Sequence, residues 1–379
     1  LIRKHLHVRD GGQGWSDEAV VLSLILLNLA GGDCVEDLRI LEGDEGFCRL
    51  LRRVRLAGLS RRERREIERR WRKQPQRSTP SPSSVFRYLS AFHDLREQKR
   101  REASRAFIPA PSAALRGLMA VNRDFVARVQ AKKPKRSATL DEDATLVATN
   151  RAAALYCYEH YKAYQPLNVW WAEQGVVVHT ELRVLKEALS ALPEGVQKVY
   201  LRIDTAGYEW DLLEYCAEAE SERFGVIEFA VGVDVTGEFK RAVAAVKEEA
   251  WQPLRRRING EWIDTQQQWA EVCFVPNRVG RSKEGPAYRF IAIREPLMQK
   301  ALPGMEQQRA LPFPTMEFAS QTYKLFGIVT NRDLAGEEVI GWHRGRCGKS
   351  EEAHGVMKED LAGGKLPSGD FGEPMEKGP

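Results

Sequence analysis

The stretch ATLDEDATLVAT occupies Ala138–Thr149. It is rich in β-formers and bounded by polar residues, so it predicts a strand, and the period of two puts Asp141 and Asp143 on one face of it. Aspartate is depleted from strands, so two on one face have one of two explanations: an edge open to water, or a site that uses carboxylates. Toward the C-terminus, Tyr164–Ala172 and Val176–Leu182 read as a hairpin around Glu173-Gln174-Gly175, and Val184–Leu192 reads as a helix. Val199–Ile203 is the next strand and ends at Asp204, Trp210–Ala219 is a helix, and Gly225–Val233 is an apolar strand. Trp170 and Trp171 are adjacent and point to opposite sides of their strand, so at least one belongs to a core.

The predicted order is β-β-β-α-β-α-β, three sequential strands before the first crossover helix, which is the order of a ribonuclease H-like fold. Residues 234–338 add β-like pieces at Glu271–Pro276, Tyr288–Ile293 and Thr322–Thr330 and read as an insertion. Residues 339–365 return to the core with a last helix over Ser350–Glu359, and 366–379 read as an irregular tail. The expected class is therefore α/β: a ribonuclease H-like core beginning at 137–233, with a β-rich insertion, preceded by an all-α basic region over 1–136.

In that first region Ser16 is an N-cap with Asp17 and Glu18 in the first turn, and Gly31-Gly32 closes the helix Asp17–Ala30. A second helix spans about Cys34 to Leu41. The pair is either a helix-turn-helix or an ordinary pair of short helices. Arg49–Arg77 holds 13 Lys and Arg against 3 Glu and reads as a basic amphipathic helix, with Leu51, Val54, Leu56, Leu59, Ile67 and Trp71 on its apolar side. Such a run is either a solvated face or an anion site: Arg61, Arg62, Arg64, Arg65, Arg69 and Arg70 repel one another until an anion such as phosphate neutralises them. Gln74–Ser84 reads as a Pro/Ser hinge, Val85–Arg105 resumes a helical pattern, and the basic linker Lys132–Arg136 ends the region.

Composition sharpens this division. The 379 residues are 43% hydrophobic and 29% charged, enough chain for two or three domains with cores of their own. The net charge of +5 is uneven: residues 49–136 hold 26 Lys and Arg against 7 Asp and Glu, so the rest of the chain is acidic. Six cysteines without a CxxC pair fit a reducing cytosol. The longest apolar run, Ala19–Ala30, is too short to span a membrane, and no signal peptide is read at the start. Gly348-Lys349-Ser350 imitates a phosphate loop, but His343 stands where the first glycine belongs, so no nucleotide cofactor is expected.

Phosphodiester chemistry with two metal ions needs carboxylates from separate elements. Asp141 and Asp143, Asp204, and Glu351 with Glu352 at the start of the last helix are the candidates. Five stretches, LNLAGGDCVEDLRILEGD (Leu27–Asp44), TLDEDAT (Thr139–Thr145), YQPLNVWWAEQG (Tyr164–Gly175), VYLRIDTAGY (Val199–Tyr208) and GRCGKSEEAHGVMK (Gly345–Lys358), carry a resemblance. With them the chain resembles the DDE transposases of bacterial insertion sequences, the group catalogued as transposase DDE domain group 1, from about Asp17 through Asp370. The resemblance maps the first family aspartate onto Asp143, followed by Thr145, and the second onto Asp204 in an R-x-D with Arg202. It maps the glutamate onto Glu351, seven residues before Lys358. The family's signature Tyr then falls on Arg344 and its Arg on Cys347, beside Arg346.

The resemblance implies a transposase that binds insertion-sequence ends as a homodimer on double-stranded DNA and carries out strand cleavage and strand transfer. Asp143, Asp204 and Glu351, with Asp141 as a further candidate, would hold two Mg²⁺ (or Mn²⁺) ions; one would activate water, and the freed 3′-hydroxyl would attack target DNA. Arg346, Lys349 and Lys358 would contact phosphates near the scissile bond. Neither a membrane nor a nucleotide is implied, and the expected location is the cytoplasm, at the bacterial nucleoid. Family members continue into apolar helices where this chain ends at Pro379, so it is expected to be C-terminally truncated. Two alternatives follow: an inactive chain that only binds DNA, or a ribonuclease H-like nuclease.

Overall fold

The structure is a computed structural model that describes residues 1–346 apart from 9–13, 33, 74–76, 101–109, 150–153, 158–159, 182–184, 219–220, 259–260, 277–287, 298–312 and 319–320. It is a mixed α/β protein with a large sheet. The described residues before Ser137 contain helices and no strand. These are α1 (Ile2–His5), α2 (Asp17–Leu29), α3 (Leu38–Gly43), α4 (Glu45–Leu56), α5 (Arg61–Lys73), α6 (Pro82–Leu89), α7 (Leu95–Gln98) and α8 (Ala113–Lys132). Polar caps start several of them: the Ser16 hydroxyl accepts from Ala19 N–H, Asp44 from Phe47 N–H, and Ser112 from Leu115 N–H. Apolar residues of α2, α3 and α6 and of the turns beside them meet in one cluster of Leu6, Val20, Leu27, Val35, Leu38, Val85 and Tyr88, with Leu118 of α8 packed against it.

The basic stretch departs from the expected single helix. α4 ends at Leu56, Gly58 takes φ +81, and α5 starts afresh at Ser60, whose hydroxyl accepts from Glu63 N–H while the Glu63 carboxylate accepts from Ser60 N–H. Part of the expected hinge is docked: Ser78 and Thr79 are buried, and the Glu42 carboxylate accepts from both of their N–H groups and from the Thr79 hydroxyl. The helix expected over Val85–Arg105 stops at Leu89, gives a 3-10 turn at Ser90–Phe92, and resumes only as α7; residues 101–109 lie outside the described ones.

α8 joins the helical cluster to the sheet. Its Val126 is buried in the sheet's core, Asn122 Nδ2 donates to Val177 O and Val178 O, and Gln130 Nε2 donates to Lys135 O. The two bonds from Asn122 meet the strand where its pairing register slips, so they satisfy carbonyls at an interrupted ladder.

Thirteen strands follow among the described residues. β1 (Ser137–Ala144) stops before Thr145, whose N–H goes to Pro166 O. The expected strand Ala138–Thr149 is thus cut in two: β2 (Val147–Ala148) joins β3 (Leu155–Tyr156) and β4 (Lys162–Tyr164) in a small antiparallel sheet over Leu146, Cys157 and Ala163. The strand expected from Tyr164 begins only after Pro166, which has no N–H to give a ladder, as β5 (Leu167–Trp171). β6 (Val176–Glu181) returns from it through Gly175 at φ +66. Then come α9 (Leu185–Ala191), β7 (Lys198–Ile203), α10 (Trp210–Ala217) and β8 (Glu228–Gly232). Along the sheet these strands lie in the order β6-β5-β1-β7-β8; β5 is antiparallel to both neighbours, and β1, β7 and β8 run parallel.

Residues after β8 continue this sheet. α11 (Gly237–Ala244), capped by Thr236 and unforeseen from the sequence, precedes β9 (Gln252–Ile258), β10 (Glu261–Val272), β11 (Arg289–Pro296), β12 (Thr315–Phe318) and β13 (Gln321–Thr330). β13 pairs antiparallel with β8, and β11, β10 and β9 follow outward, with β12 also on β13. α9, α10 and α11 cover one face, where Leu140, Trp171, Leu201, Phe229 and Phe239 are buried; α12 (Gly336–Arg344) lies on the other, over Ala230, Trp269, Ile291 and Ile328. Among the described residues no helix is long and apolar enough to cross a membrane.

Candidate active site

Register decides which carboxylates meet. β1 and β7 pair in parallel with Asp141 opposite Arg202 and Glu142 opposite Ile203, so the next step brings Asp143 level with Asp204 at the C-terminal ends of neighbouring strands. Both lie on the sheet face that carries α12. Asp204 Oδ1 accepts from Ala206 N–H at 3.0 Å and so caps the short turn Thr205–Gly207. That turn passes close over the end of β8: a Cβ on Gly232 would stand 2.8 Å from Thr205 N, so only glycine fits. Asp143 Oδ1 accepts from Ala144 N–H at 2.9 Å. Beyond it, Asn168 Nδ2 donates to Thr145 Oγ1 and Thr180 Oγ1 donates to Asn168 Oδ1, which stiffens the chain leaving the site.

Arg346, two residues past α12, brings its Nη1 to 3.4 Å from Asp143 Oδ2, and its Nε is buried without a hydrogen-bond partner. Burial raises the Asp204 carboxyl above its ordinary range; the Arg346 charge opposes that shift and the Asp143 charge adds to it. Two acids drawn together beside one cation make a place where a further positive charge is favoured. Among the described residues no three His, Cys, Asp or Glu side chains converge as a metal site. Glu351, Glu352, Lys349 and Lys358 lie outside the described residues.

Asp141 behaves differently from Asp143. Arg202 Nε donates to its Oδ1 at 2.5 Å and Arg202 Nη2 to its Oδ2 at 2.7 Å, with both side chains buried. The fork gives Asp141 a buried cation of its own and turns both of its oxygens toward Arg202. Arg202 Nη1 also donates to Trp342 O at 2.8 Å, and the guanidinium stands 5.5 Å from the Trp342 ring centre. One residue on, His343 Nε2 donates to Ile203 O at 2.9 Å; burial lowers its pKa to about 4, so the ring is neutral at pH 7.

Sequence reasoning did not single out Glu142, which lies on the opposite face of β1. It is buried with Oε2 unpartnered, and burial, helped by the Asp204 and Glu209 charges, pushes it up to about 7. The signal was present as the middle acid of DED. The anion site expected in the N-terminal region lies on α5: Arg61, Arg62, Arg64, Arg65 and Arg69 are exposed and form no ion pair among the described residues. Arg70 is on the same helix, with its side chain outside the described ones.

No family model and no curated protein match this chain. Among solved structures, the cryo-EM structure of the piggyBac transposase synaptic complex with hairpin DNA is similar at 9% identity and a TM-score of 0.30, over 74% of this chain and 60% of that one. That likeness is too slight to bear on function.

Proposed function

We propose that the chain is a DNA transposase with a ribonuclease H-like core (137–233 and 339–365), a β-rich insertion (234–338) and a helical DNA-binding region (1–136). One observation carries the reading: Asp143 and Asp204 lie side by side at the ends of parallel neighbours β1 and β7, on the face from which α12 delivers Arg346. The strand order β6-β5-β1-β7-β8, with its two antiparallel and two parallel pairings, supports the fold assignment.

The oxygen donors of Asp143 and Asp204 suit Mg²⁺ or Mn²⁺, with Glu351 as the third ligand from the segment that follows Arg346. Bound there, the metal would polarise the scissile phosphate and activate the attacking oxygen. Arg346 neutralises the acids in its absence and contacts phosphate when DNA enters, with Lys349 and Lys358 reaching further phosphates. The α5 arginines grip the backbone and give salt-dependent affinity for insertion-sequence ends, which a homodimer brings together. The test is nicking and strand joining of a labelled element-end duplex in Mg²⁺ or Mn²⁺, by the wild-type chain and by Asp204→Asn. Products from the wild type alone support the proposal. Nicking without joining favours a nuclease, and binding without cutting by either protein favours a chain that only binds DNA.

A further inference from the structure

Three interactions tie the last turn of α12 to the ends of β1 and β7. Arg202, locked by Asp141, donates to Trp342 O; His343 donates to Ile203 O; and Arg346 reaches Asp143. The Trp342 ring lies 5.5 Å from the Arg202 guanidinium and 4.1 Å from that of Arg332. Gly345 completes the arrangement: a Cβ there would stand 2.8 Å from Arg202 Nη1 and 3.1 Å from Trp342 O. Its backbone is helical, φ −61 and ψ −10, so the torsions admit any residue, and the space Arg202 needs is the reason for glycine.

We propose that Arg202 is a positioning residue of the Asp143–Asp204 site: through Asp141 on one side and the Trp342 carbonyl on the other, it sets the end of α12 so that Arg346 stands against Asp143. This rests on the reading of that site as the cleavage centre. A buried ion pair is often replaceable by apolar residues without loss of stability, so stability alone does not account for this one. Arg202 touches neither DNA nor metal in this scheme. It holds the backbone from which the phosphate-contacting Arg346 projects, and a small displacement of such a group is costly to rate.

Gly345 and Gly341 allow a test that spares the charges. Both are exposed positions near the end of α12, and a Cβ on Gly341 would meet nothing within 4 Å. In the full chain, Gly345→Ala is expected to lower metal-dependent nicking of supercoiled plasmid by about tenfold or more at saturating DNA. Duplex affinity, read by fluorescence anisotropy, should stay within about twofold, because the α5 arginines that set it are untouched. Gly341→Ala, equally helix-favouring, should cut at the wild-type rate. Amide exchange at Gly345 and Arg346 should speed up in Gly345→Ala alone. Arg202→Lys, which keeps charge but loses the fork, should resemble Gly345→Ala; the paired Asp141→Leu/Arg202→Met variant serves if the lysine does not fold. Equal rates for the two alanine variants, or a wild-type rate in Arg202→Lys or the paired variant, would overturn the proposal while leaving the site reading intact. Undiminished nicking by Asp143→Asn, or no nicking by the wild type, would remove the site reading and this inference with it.

Discussion

Arginine does opposite work in the two halves of this molecule. On α5, Arg61, Arg62, Arg65 and Arg69 point into water without an ion pair among the described residues. In the sheet, Arg202 is buried on Asp141, and Arg294 is buried on Glu248 inside a ring of Trp251, Phe318 and Tyr323. A buried guanidinium must bring its own anion because desolvation is prohibitive otherwise; an exposed one keeps its hydration and stays open to an anion from outside. Under the proposed function, the contrast gives binding to the helical half and geometry to the sheet. Arg346 lies between the two cases, partly buried and only loosely paired to Asp143 at 3.4 Å.

The largest effects should therefore separate cutting from gripping. Asp143→Asn and Asp204→Asn are expected to reduce cleavage by about a thousandfold or more while duplex affinity is unchanged or slightly raised, since a negative charge is removed. Single-turnover nicking and anisotropy on the same preparations check this. Changing Arg61, Arg62, Arg65 and Arg69 together to Gln should do the reverse, weakening affinity by about ten- to a hundredfold and flattening the dependence of log affinity on log salt by about 0.9 for each phosphate that is no longer neutralised. If that variant binds as tightly as wild type at every salt concentration, the division between the halves breaks.

A mixed α/β chain, with its strands after residue 137, was legible because alternation and apolar runs mark strands whichever neighbour they pair with. The breaks were less legible. Pro166 and the Thr145 turn divert two short segments into a second sheet, and that depends on tertiary pairing. Likewise Gly58 reads as one glycine in a basic run, while in the structure it separates two helices that start from caps of their own. Asp141 and Asp143 share a face and look alike in sequence; only the β1–β7 register, which sets Arg202 opposite Asp141, tells them apart. In the sequence His343 is the residue that spoils a phosphate loop, and its bond to Ile203 O depends on a partner 140 positions away.

The interior of the sheet half also stores opposing pH responses. Glu142 is raised to about 7 from its ordinary 4.5, so the folded chain keeps that proton where the unfolded chain releases it. Its stability contribution is present below pH 4.5 and is lost as pH rises through about 7. His343 is lowered to about 4 from 6.5, so its contribution is present above pH 6.5 and is lost as pH falls through about 4. The two offset one another between pH 4.5 and 6.5. Glu142→Gln should raise stability by ~1–3 kcal/mol at pH 8 with little change at pH 4.5. Urea melts at those two pH values read the difference directly.

The smallest effect belongs to the helical half and tests its local character. α5 depends on its own start signal more than on a core: Arg61–Glu66 are all exposed, and Ser60 with Glu63 satisfies two of the first N–H groups. Ser60→Ala removes that acceptor and is expected to cost about 1 kcal/mol of helix stability. The cost should appear as faster amide exchange confined to α5, with the sheet's melting transition unmoved. DNA affinity should fall by only a few-fold, because bound phosphates re-form a helix whose arginines are all still present. Loss of protection spreading into α8 or β6 would show instead that α5 is cooperative with the core, and its arginines would then have to be counted with the buried ones.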